Sequence, residues 1–531
     1  MTTGLLLHGG KVFAGRGLPL TDAILVRDGR IAALGDAARD AAGADDRRVD
    51  LAGRLATPAL DEAHMHLLPY GLALSQVNLR AEQVRTLDEV LARIAAAAKA
   101  AAPGAWVLGR GYDHAALDIG RHPTAEELDQ AAPNNPVFIK RTCGHMGVAN
   151  TAAMRAAGVG HNTPDPEGGV IERAPGRLTG LFQERAMRLI LDSAPVPDEA
   201  TMVAAIEAAG RNLARYGFAS ASDMNVGMIA GISEIAAYRR ALAEDRLVQR
   251  MWMVLAANPE GIGDAAWDAG LRADVADPML AFGGAKIFAD GSAGGLTAAF
   301  FDPYLPGGHG VFCFPDATMH GLLARWHDRG FALNIHAIGD AAIEQVLVGM
   351  EALTAPRPRH RIEHCGFVTP GQRARMLAAK ILPLPQPVFL YEFGDLYLKT
   401  VGSERSAASY PMKTWLDEGH HPAASSDCPV STVDPFINLF TMLTRQTNRG
   451  TVIGAEEALT AEEALHCYTW CGAHARFAEH RRGTLAPGMD ADIAVFDTDL
   501  LTAEPDAILA AGCDLTLRGG IVLHDRHGAF V

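Results

Sequence analysis

The chain reads as an α/β protein: a (β/α)8, TIM-like barrel, a small β-sandwich built from both termini, and an α/β insertion after the first barrel strand. Three observations predict it. Short apolar runs alternate with helical stretches through the middle of the chain, the pattern of a parallel sheet covered by helices. Both ends are instead rich in β-type runs punctuated by glycine. No Gly-x-Gly-x-x-Gly and no Walker-type lysine loop follows an early strand, so a nucleotide-binding sheet is disfavoured and a barrel preferred.

The elements follow in order. Residues 4–57 contain the runs Leu5–Phe13 and Ala23–Gly35, and Asp28-Gly29 between apolar segments is a hairpin signal. Residues 492–497 and 515–523 have the same texture near the other end. Neither tail carries enough apolar surface to stand alone, so residues 1–57 and 483–531 are expected to pair into one small domain. The barrel is expected over 58–482, with helices over 87–102, 199–216 and 316–330. Residues 67–180 carry Pro, Gly and Asn punctuation and are too long for one strand-to-helix connection. They are expected to be an insertion that helps build the substrate pocket.

At 531 residues the chain exceeds one ordinary core. With 47 Lys and Arg against 62 Asp and Glu, and no basic stripe, phosphate-backbone binding is excluded. No window approaches 18 apolar residues, so a membrane partner is not expected. Met1-Thr2-Thr3-Gly4-Leu5 lacks the basic and apolar regions of a secretory signal. Seven scattered cysteines suit a reducing, cytoplasmic setting, with Cys467 and Cys471 expected to be buried rather than metal-bound.

Candidate ligands stand at the ends of apolar runs. On a strand, His64 and His66 share one face. Lys286 sits alone inside the apolar run 282–289, a costly position unless the amine is neutralised, paired or modified. His336, His364 and Asp427 end three later runs. In a barrel such positions converge on one mouth. His360, His420 and His421 are expected to lie outside this set.

This order resembles the amidohydrolase superfamily of metal-dependent hydrolases, and more narrowly amidohydrolase family 3, the branch of YtcJ-like proteins and N-substituted formamide deformylases. The resemblance extends through Gly109-Arg110-Gly111-Tyr112-Asp113, Cys143-Gly144-His145, Asp290-Gly291-Ser292, His336-Ala337-Ile338-Gly339-Asp340 and the closing run 483–493. It implies one or two divalent ions, Zn2+ by donor type. His64 and His66 would hold one ion and His336 and His364 the other. Lys286 would bridge them as a carbamate formed with CO2, and Asp427 would touch the first ion and the attacking water. The implied reaction is hydrolysis of a carbon–nitrogen bond other than a peptide bond, by attack of a metal-bound hydroxide on a small amide. Alternatives on the same metals are carbamate, ester or lactone hydrolysis, or deamination. Asp427 and His145 are the expected catalytic groups, and Tyr112, Asp113, His145, Asp290 and Phe288 the expected substrate neighbours. A homodimer is expected by analogy with the superfamily.

Overall fold

The structure is a computed structural model that describes residues 4–80, 83–141, 146–166, 168–354 and 359–528. The chain divides into two compact units, Met1–Tyr70 with Met202–Val531, and Gly71–Thr201.

The first unit is centred on a seven-stranded parallel sheet. Its strands are β1 (Leu60–Met65), β2 (Phe218–Val226), β3 (Arg250–Ala256), β4 (Leu280–Phe288), β5 (Ala332–Ala337), β6 (Arg361–His364) and β7 (Leu382–Leu384), hydrogen-bonded in chain order. Every residue of β1, β3, β5, β6 and β7 is buried, as in a parallel sheet covered on both faces. Helices Asp316–Asp328, Asp340–Glu351 and Pro370–Ala379 connect β4 through β7. Thr369 opens the last of these with a capping box to Gln372, which satisfies backbone donors left free at a helix start.

The expected eighth barrel strand is not present as a strand. Residues 422–428 lie at that position without regular secondary structure, tied to β1 by Asp427 N to His64 O (2.8 Å) and His66 N to Cys428 O (2.7 Å). On the other side Ser425 Oγ donates to Pro385 O at 2.9 Å. Asp427 is left-handed (φ 58°) and Pro429 offers no backbone donor, so a regular ladder cannot continue here. The barrel is therefore nearly closed, with seven laddered strands and one looser stave.

The terminal runs pair with one another. Leu55–Pro58 lies antiparallel to Ile493–Phe496, joining N-terminal strands to C-terminal ones in a single eight-stranded sheet. Asp28 and Gly29 both have positive φ (50° and 74°), the backbone of a tight hairpin turn. Leu7, Ile24, Val26, Val495, Leu515 and Leu517 share one core beneath this sheet.

Unit Gly71–Thr201 holds a six-stranded mixed sheet and its own helices. Leu87–Ala100 and Ala125–Ala131 each start with a capping box, Thr86 with Glu89 and Thr124 with Glu127. Its core includes Val90, Ile94, Val107, Ile139 and Val148. Among the described residues, no helix is long and apolar enough to cross a membrane.

Candidate metal centre

Strand alternation aims the first candidate ligands. His64 and His66 are two residues apart at the end of β1, and their ring centres lie 6.0 Å apart. Lys286 comes from β4, His336 from β5 and His364 from β6. In β6 the alternation already turns Arg361 and Glu363 to one face, which would send His364 to the other. His364 instead adopts φ 66°, leaving the strand conformation. Its ring then lies 4.9 Å from that of His64 and 4.4 Å from that of His336. Left-handed backbone at a non-glycine residue costs on the order of 1–3 kcal/mol and persists where neighbours enforce it. His364 and Asp427 both carry it.

Asp427 Oδ1 lies 3.3 Å from His64 Nε2 and 3.1 Å from His66 Nε2. Lys286 Nζ is 3.5 Å from His64 Nε2. One ligand atom each from His64, His364 and Asp427 falls within 4.8 Å of the others, a spacing that one cation can bridge.

The donor set fits a metal. Each imidazole has one nitrogen engaged from behind: His64 Nδ1 by Glu363 Oε2 (2.6 Å), His66 Nδ1 by Met224 O (2.8 Å), His364 Nδ1 by Gln386 Oε1 (2.6 Å). His336 uses Nε2 instead, 2.9 Å from Gly291 O, and keeps Nδ1 for the centre. An acceptor behind one nitrogen leaves the lone pair of the other for a cation. Asp427 Oδ1 itself is buried without a well-formed hydrogen bond.

Electrostatics support the same state. Burial lowers His336 to about 3 and, with the neighbouring His336, pushes His364 down, so both imidazoles are neutral. Burial lowers the Lys286 amine to about 8. Burial opposes the charge of Asp427, but the imidazoles of His64 and His66 outweigh it and hold the carboxyl well below its usual range. For His66, burial is outweighed by the adjoining Asp427 carboxylate, which raises it. A cation would displace that proton, since a metal-bound imidazole must be neutral.

The other expected residues divide. Phe288 packs on the centre, its ring 5.0 Å from that of His336 and 5.0 Å from Lys286 Nζ. Asp290 accepts from the backbone of Ala299, Ile338 and Gly339 at 2.9–3.0 Å and lies 3.4 Å from His336 Nε2. It braces the loop and the ring. Tyr112 and Asp113 belong to unit Gly71–Thr201. There Tyr112 is buried with its hydroxyl 2.9 Å from His122 Nδ1, and Asp113 pairs with Arg141 at 3.1 Å. His145 lies outside the described residues. Cys467 and Cys471 are both buried.

Sequence reasoning missed Arg361, Glu363, Asn334, Gln386 and Phe389, which back or flank the histidines. The available signal was the pair Arg361 and Glu363, two charges on one face of a short strand. Phe389 stacks on His364 (6.0 Å between centres, 14° between planes).

Barrels that gather neutral imidazoles and a carboxylate where strands end are built for metal-dependent hydrolysis, and this chain is of that class. It belongs to the amidohydrolase family, whose model matches residues 47–524. It is 28% identical over 517 residues to YtcJ of Bacillus subtilis (strain 168), covering 95% of this chain and 96% of that one. It is 30% identical over 533 residues to an N-substituted formamide deformylase of Arthrobacter pascens, covering 96% and 95%. Its structure is similar to that of an uncharacterized metal-dependent hydrolase from Pyrococcus furiosus, with a TM-score of 0.78 and 26% identity over 94% of this chain and 100% of that one.

Proposed function

We propose that the chain hydrolyses the carbon–nitrogen bond of a small amide, an N-substituted formamide being the leading substrate class, with one or two zinc-type ions that His64, His66, His336, His364, Asp427 and a carboxylated Lys286 would hold. The observation that carries this reading is Lys286: an amine 1% exposed, lowered to about 8, and 3.5 Å from His64 Nε2 among four imidazoles. A neutral amine adds through nitrogen to the carbon of CO2 and releases a proton, and the resulting carbamate is a two-oxygen anion whose buried charge divalent ions would neutralise.

A divalent ion bound there would supply an acidified water and Lewis-acid polarisation of a carbonyl. His64 and His66 with Asp427 would hold one such ion, and His336 and His364 a second. Asp427 takes the proton as the water oxygen bonds to the carbonyl carbon, then returns it to the amine nitrogen as the C–N bond breaks. Its carboxylate is suited to this because it is ionised and lacks a well-formed hydrogen bond. Phe288 and Phe389 flank the imidazoles with apolar faces, which favours a hydrophobic N-substituent. The Arthrobacter relative, named for N-substituted formamides, supports the same class.

The test is elemental analysis of the purified protein followed by turnover of N-alkyl and N-aryl formamides, carbamates and lactones. One or two ions per chain with fastest turnover of formamides is expected. Carbamates or lactones turned over faster would overturn the amide assignment, and absence of metal would overturn the centre.

A further inference from the structure

Glu363 has no part in the chemistry above, yet its carboxylate makes four polar contacts beside the candidate centre. Its Oε1 accepts from Arg361 Nε (2.7 Å) and Asn334 Nδ2 (3.0 Å). Its Oε2 accepts from Arg361 Nη2 (3.0 Å) and lies 2.6 Å from His64 Nδ1. Glu363, Arg361, Asn334 and His64 are all buried at 0% exposure. The carboxylate thus makes four polar contacts away from the molecular surface. Both oxygens act as acceptors, so the proton between Glu363 and His64 sits on Nδ1, leaving the Nε2 lone pair toward Lys286 and Asp427.

The arrangement also reaches across the barrel. Glu363 lies on β6 and His64 on β1, with β7 and the 422–428 segment between them in the wall. Arg361 spans the same gap, donating from Nη2 to Ala63 O at 3.0 Å, one residue before His64. Side chain and backbone of the first ligand are therefore both anchored by one strand on the far side.

We infer that Glu363, clamped by Arg361 and Asn334, is a positioning residue that sets the tautomer and ring direction of His64 and so determines how tightly the centre binds its metal. This rests on the reading of His64 as a ligand given above, although the tautomer itself does not. A glutamine at 363 would bring two N–H groups into a ring of donors. Arg361 and Asn334 would claim its one oxygen, turning the amide nitrogen toward His64. The imidazole would then accept at Nδ1 and carry its proton on Nε2, the wrong nitrogen for a cation.

The experiment uses full-length Glu363→Gln and Glu363→Asp beside the natural chain. In metal-free protein, 15N NMR of the histidine rings reads the tautomer. In metal-loaded protein, competition with a chromophoric chelator and the visible spectrum of the Co2+ form read the site. We expect Nδ1–H on His64 in the natural chain and Nε2–H in Glu363→Gln. Metal affinity should fall about 10–100-fold and the Co2+ spectrum should change. Glu363→Asp, which keeps the acceptor, should restore the Nδ1–H tautomer and part of the affinity even if the glutamine variant folds poorly. An unchanged tautomer in Glu363→Gln, or unchanged Co2+ spectrum and affinity, would overturn the inference. A natural chain that shows Nδ1–H but binds no metal would overturn the ligand reading and leave the tautomer control standing.

Discussion

An amine buried in a dry barrel can exist protonated and paired, neutral, or covalently modified. For Lys286, burial lowers the amine to about 8, against the attraction of Glu363 and Asp427. In metal-free, CO2-free protein this has a pH signature. Between about 8 and the ordinary lysine range the unfolded chain holds the proton more tightly, so stability rises as pH increases through that window. Urea midpoints for the natural chain minus those for Lys286→Met should show this rise; a flat difference would contradict it. Asp427→Asn removes the proposed proton carrier but leaves the four imidazoles. It should retain metal while kcat falls about 10²–10⁴-fold, measured by elemental analysis beside single-substrate kinetics. These two residues were legible because each is a charge ending or interrupting an apolar run. Glu363 was not. Strand alternation allows only one of two adjacent residues to face the centre, and His364 already filled that place. The left-handed turn that admits both is made by a histidine, so no glycine marked it.

Strand β4 illustrates how an element carries its residue to the site. Gly283 and Gly284 precede Lys286 because their neighbours leave no room for a side chain. A Cβ on Gly283 would come within 1.9 Å of Trp252 Cη2 on β3. Gly283→Ala should therefore cost about 1–3 kcal/mol, read by urea denaturation, and should weaken metal binding by moving Lys286. Wild-type stability in this variant would mean that Trp252 shifts freely. At this scale the sequence was informative where chemistry and period agree. Asp28-Gly29 forms the turn its composition demands, and the apolar runs before Lys286 and His336 are strands. The eighth stave misled for a physical reason. The apolar run before Asp427 has strand-like composition, but Pro422, Pro429 and the left-handed Asp427 break the ladder.

For the whole molecule, the two chain ends are one structural unit. Ile493–Phe496 covers the edge of Leu55–Pro58, and the latter leads directly into β1 with its histidines. Deleting 483–531 would bare that edge together with Ile24, Val26 and Leu7 of the shared core. We expect the shortened chain to aggregate, measured by yield after centrifugation and by circular dichroism; a monomeric, folded product would show that the N-terminal strands suffice.

The loose eighth stave has a consequence for when the catalyst exists at all. The looser stave meets β1 through only two backbone hydrogen bonds, at His64, His66, Asp427 and Cys428, so a cation gripping His64 and Asp427 would act as a rivet across that seam. Without it, thermal breathing should start there and split the ligand set before the wall unravels. Hydrogen exchange at the amides of His66 and Asp427 should slow on metal loading more than exchange in β3. Assembly of the centre and closure of the cylinder would then be a single event.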